Sequence, residues 1–99
     1  MSDAEYPLPP PTFEFLVFSL KAQTEIQLGL LRVSEDQPAE PNFDAAKHAI
    51  DLLAMIAEKT KGNLSLEEQR LIENSLTELR FRFVQVKEQK PPAEGATAS

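Results

Sequence analysis

The sequence predicts an all-α protein of three helices, in which a tight helical hairpin and an N-terminal two-faced helix assemble as an oligomeric helical bundle. Three observations carry this reading. The segment KTKGNLSLEE, residues 59–68, writes a helix stop and a helix start side by side. Apolar residues recur at helical spacing before and after it. Upstream, residues 13–33 are apolar on two opposed sides of a helix, with Glu14, Lys21, Glu25 and Arg32 in a narrow ridge between them. No single neighbour can cover both sides, so that helix should be sandwiched.

In chain order, residues 1–11 read as a Pro-rich disordered leader, since Pro7, Pro9, Pro10 and Pro11 favour an extended form. A single helical domain, residues 12–90, follows. Its first helix runs over 12–33 from a cap at Thr12, and the polar connector SEDQPAEP with its two prolines cannot continue it. Asn42 or Phe43 opens the second helix, 43–61, where Asp44 suits the positive end of the dipole. The third helix spans 66–87, and residues 91–99, beginning at Pro91 and Pro92, form a disordered tail.

The hairpin turn is specified residue by residue. Gly62 supplies a left-handed backbone after Lys59 and Lys61, whose charges suit the negative end of a helix. Asn63 continues the turn, and Ser65 caps the third helix with Glu68 placed to complete a capping box.

The faces follow from advancing about 100° per residue. Phe13, Leu16, Val17, Leu20, Leu28 and Leu31 gather on one side of the first helix. Phe15, Phe18, Ala22, Ile26, Gly29, Leu30 and Val33 gather on the other. The second helix has one broad apolar arc of Ala46, Ala49, Ile50, Leu53, Ile56, Ala57 and Thr60. The third buries Ile72, Ser75, Leu76, Leu79, Phe83 and Val86, leaving Thr77, Phe81 and Val84 as a small patch outside that stripe. The expected interface is therefore Phe15, Phe18, Ala22, Ile26 and Leu30, extended by Phe81.

The run AIDLLAMIAEKTKGNLSLEEQRLIENSLTELRFRFVQV, residues 49–86, together with FEFLVFSLKAQTEIQLG, residues 13–29, strongly resembles a bacterial family catalogued as domain-of-unknown-function family 1844. The resemblance covers roughly residues 13–87, and the KTKGNL block is its most specific part. It implies a small helical protein without an assigned activity. No catalytic residue is carried over, because the family has none established.

Composition narrows the function classes. The Pro-rich ends leave about three quarters of the 99 residues to fold, and a unit this small buries only ~60% of the surface its unfolded form exposes, so burial against another subunit is the natural remedy. The absence of cysteine fits a cytoplasmic setting and removes disulfides and thiolate metal sites. The start MSDAEYPLPPP lacks the charge and apolar run of an export signal, so export is not expected. Charges interrupt the most apolar stretch, so no membrane span is expected either.

The net charge of −6 opposes nucleic-acid phosphates. The one basic cluster, Arg80, Arg82, Lys87 and Lys90, reads as a solvated helix end. Candidate chemistry is sparse. His48, the single histidine, sits at a polar helix edge with no nucleophile to serve, and no ExxH pattern offers a metal site. The expected catalytic, cofactor and metal residues are accordingly none, and no cofactor is expected.

The function expected is that of a non-enzymatic, self-associating interaction or structural module, with a homodimer favoured. Two alternatives stand behind it. One is an adaptor that grips an unidentified protein through the first helix or the Phe81 patch. The other is a binder of small phosphate ligands at the Lys61 turn, where bases, a glycine and a helix start sit together.

Overall fold

The structure, a computed structural model, describes residues 8–31 and 40–89. Within them the chain forms three helices: α1 (Phe13–Gln27), α2 (Phe43–Lys59) and α3 (Leu66–Gln89). The described residues include no strand. Residues 1–7 of the leader and the whole of the 91–99 tail lie outside the described residues, whereas Leu8 to Pro11 are exposed and belong to no helix.

Each helix starts where a short polar side chain can take up an otherwise unpartnered amide. The Thr12 hydroxyl accepts from the Phe15 amide at 3.0 Å, and the Asn42 side-chain oxygen accepts from the Ala45 amide at 3.1 Å. At the start of α3 the exchange is reciprocal. The Glu68 carboxylate accepts from the Ser65 amide at 2.8 Å, and the Ser65 hydroxyl accepts from the Glu68 amide at 3.1 Å.

The ends differ from the sequence reading at α1. This helix stops at Gln27 and does not reach residue 33. Gly29 takes a left-handed backbone with φ 79°, its amide donates to the Ile26 carbonyl at 3.0 Å, and the Leu30 amide donates to the Glu25 carbonyl at 2.9 Å. That pair of bonds is a Schellman stop, which satisfies the last carbonyls and turns the chain away. A bond from the Asn42 amide to the Gln27 carbonyl, 2.6 Å, then ties the end of α1 to the start of α2. Helix α2 closes at Lys59 with Thr60 as its cap, two residues earlier than residue 61, and α3 extends to Gln89, beyond residue 87.

Val17 packs with Ile50, Leu53, Ile72, Leu76 and Leu79, whereas Leu28 packs with Ala46 and Val86. Helix α1 therefore runs alongside α3 and against α2, and all three helices touch. Two polar residues, Thr24 and Ser75, are buried among the described residues. Thr24 is fully enclosed because its hydroxyl donates to the Leu20 carbonyl at 2.8 Å, leaving no unmet hydrogen-bonding group. At the far end Phe43 and Phe83 meet edge to face at 5.5 Å, and the Lys87 ammonium sits 5.7 and 5.6 Å from the two ring centres. This cation–π clamp joins the start of α2 to the end of α3.

Gly62 has φ +88°, and a Cβ built there would meet nothing within 4 Å, so a substitution is resisted by backbone conformation alone. Gly62→Val is expected to lower stability by more than ~1 kcal/mol, because a branched side chain resists positive φ. Ser65→Ala should cost ~1 kcal/mol through the lost cap. Thermal melts followed by circular dichroism check both, and an unchanged Gly62→Val melt would show that the turn does not depend on its glycine.

Candidate interaction surface

The fold divides the apolar residues of α1 between an inner and an outer side. Val17, Thr24 and Leu28 are buried against the hairpin, with Phe13 and Leu20 packed beside them. Phe15 is 45% exposed and Phe18 is 52% exposed on the outer side. Ala22 and Ile26 continue that stripe as half-buried residues. Leu16, expected inside, is exposed, because the buried sector centres on Val17, Thr24 and Leu28 and leaves Leu16 beyond its edge.

Leu30 is corrected in its placement. It was expected on the outer helical stripe, yet the Gly29 stop puts it outside α1, where it and Leu31 are exposed in the segment after the helix. The stripe proper thus holds Phe15, Phe18, Ala22 and Ile26. Phe81 is 65% exposed on α3, on the side turned away from Leu79, and Val84 is exposed nearby.

An ion-pair network links the two aromatic positions. Lys21, one turn after Phe18, reaches Glu78 at 3.0 Å, and Glu78 also meets Arg82 at 3.5 Å. Phe81 follows Glu78 by one turn. The Lys21 hydrogen bond, with lesser help from the charges of Lys21 and Arg82, lowers the Glu78 carboxyl from its ordinary range against an opposing effect of burial. The pairing is partly exposed and contributes little to stability. It lies in the polar strip between the stripe of α1 and Phe81.

Two members of the basic cluster are engaged within the chain: Arg82 pairs with Glu78, and Lys87 covers the Phe43 and Phe83 rings. Sequence reasoning missed this clamp, whose partners lie on different helices far apart in the chain. Lys90 lies outside the described residues.

A concavity lies between α2 and α3 at the turn end, a groove of about 310 Å³ lined by Ala54, Glu58, Lys61, Gln69, Glu73 and Arg80. Its walls carry two acids and two bases, so it has no net preference for an anion. Glu67 and Glu68 occupy the first turn of α3, and Glu68 already takes the Ser65 amide, which covers the positive helix end with carboxylate. Gly62, Asn63, Ser65 and Glu68 are all used in the turn itself, the Asn63 amide donating to the Thr60 carbonyl at 2.9 Å. His48 is exposed, and among the described residues no group of three or more potential metal ligands converges. No described helix is long and apolar enough to cross a membrane.

Comparison with the curated proteins and with the solved structures gave no match. The family comparison did. Residues 10–85, which take in all but the last turn of the three-helix unit, match the domain of unknown function DUF1844, and the chain belongs to that family.

Proposed function

We propose that this protein is a self-associating helical module that works as a structural or interaction unit, most simply as a homodimer, and has no catalytic role. The observation that carries this reading is the outer stripe of α1. Phe15 and Phe18 stand 45% and 52% exposed, one turn apart, on a helix whose opposite side is already committed to the core. A small domain gains from covering such a surface, and closed two-fold pairing is the commonest way to do so.

The reading places the chain in the cytoplasm, in line with its lack of cysteine. Its acidic balance offers nothing to nucleic acid, and the reading requires neither a membrane nor a cofactor.

An adaptor reading draws on Phe81, which is 65% exposed on a different helix and would serve a heterologous partner as well as a second copy. A phosphate-binding reading at Lys61 is weaker, because Glu58, Glu67, Glu68 and Glu73 crowd the same end of the hairpin. A hydrophobic dye separates the first two. A closed dimer at micromolar concentration should give no more dye fluorescence than an ordinary folded protein, whereas strong, saturable dye binding by the native chain would favour the adaptor.

A further inference from the structure

We propose that two copies of the chain pair antiparallel through α1, with Ala22 on the two-fold axis. The inference rests on the self-association reading and names the occupant of the stripe as the same stripe of a second copy.

Size complementarity fixes the centre. The outer stripe reads Phe15, Phe18, Ala22, Ile26, with its smallest side chain in the middle. Helices approach most closely where small side chains meet, so the crossing falls at Ala22. In an antiparallel pair centred there, Phe18 lies level with the partner's Ile26. Phe15 lies level with the partner's Gly29, the residue without a side chain at the α1 stop. Bulk on one copy thus meets less bulk on the other along the whole stripe.

Charge complementarity fixes the direction. Lys21 and Glu25 are one turn apart on the flank of α1 beside α3, where Lys21 meets Glu78. Among the described residues Glu25 forms no ion pair. An antiparallel two-fold pair brings like flanks together, which sets Lys21 within about 3 Å, along the axis, of the partner's Glu25. The same symmetry places both α3 helices on one side of the pair, where Phe81 borders the interface beyond the Lys21–Glu78 strip. A parallel pair would instead bring this flank against the partner's Ser19 and Gln23, with no ion pair.

The area is adequate. Phe15 and Phe18, each about half exposed, and the half-buried Ala22 and Ile26, together with Leu30 and Leu31 exposed just beyond the stripe and level with the start of the partner's α1, offer on the order of 400 Å² of apolar surface. Interfaces are about 60% apolar, so this corresponds to roughly 700 Å² per partner, within the range of a standard specific interface.

The native chain has no cysteine, so introduced ones report without background. Full-length Ala22→Cys should form a covalent dimer on mild oxidation. Glu14→Cys, off the stripe and carrying a nitroxide, should report a separation near 24 Å, since the two copies lie sixteen residues apart along the axis, about 1.5 Å each. A spin–spin distance below about 15 Å, expected for side-by-side parallel helices, would overturn the antiparallel arrangement while leaving the dimer standing. A dimer in which Ala22→Cys does not cross-link would overturn the placement of the axis. A wild-type chain that runs as a monomer would remove the self-association reading itself.

Discussion

Phe18→Asp is expected to leave the three-helix fold intact and to convert the proposed dimer into a monomer. Phe18 is 52% exposed in the single chain, so an aspartate there meets water and disturbs no core contact. In the pair the same carboxylate would be buried without a partner, which costs several kcal/mol. Each 1.4 kcal/mol is tenfold in affinity, so the affinity of the pair should weaken by about a thousandfold or more. Ile26→Asp should act in the same direction. Leu66→Asp is the control, because Leu66 is exposed in the first turn of α3, where an added acid suits the helix dipole. Unchanged mass and unchanged circular dichroism for Phe18→Asp would mean that the outer stripe of α1 faces solvent in the native protein.

Leu53→Ala is expected to have the opposite signature, a loss of fold. Leu53 is fully buried in the cluster that joins all three helices, alongside Val17 from α1 and Ile72, Leu76 and Leu79 from α3. Truncation removes transfer energy and leaves a cavity, together about 2–5 kcal/mol. A domain of this size has little stability to lose, and each kcal/mol shifts the melting midpoint by about 4–8 °C. A midpoint lowered by ~15 °C is the expected result of a thermal melt. A shift under ~3 °C would mean that the three helices do not share one core.

The contrast between these substitutions follows what the sequence alone discloses. Local signals were legible. Thr12, Asn42, Ser65 and Glu68 bond to amides three residues away, and Gly62 acts on its own backbone, so each is written in a short stretch of sequence. The hairpin core was legible for a related reason, since the stripe of Ile72, Leu76, Leu79 and Val86 recurs at the helical period.

The end of α1 was not, although its signal was present. Apolar residues continue through Leu30 and Leu31 past Gly29, and periodicity alone reads on where the left-handed glycine stops the helix. Thr24 was missed because a polar side chain is assumed to face water. Its hydroxyl is satisfied within its own helix, which removes the cost of burial. The Lys21–Glu78 pair and the Phe43–Phe83–Lys87 clamp depend on how separate helices are laid together, which no local pattern specifies. The candidate surface was legible as a stripe, while its limit at Ile26 and its polar border with α3 came only from the fold.

The central claim is that α1 is covered by a second copy of the same chain. Light scattering coupled to size exclusion, on the full-length protein at micromolar concentration, tests it most directly. The account predicts a particle of twice the 11.1 kDa chain mass, falling to the single-chain mass in Phe18→Asp. A wild-type particle of 11.1 kDa at that concentration would contradict it.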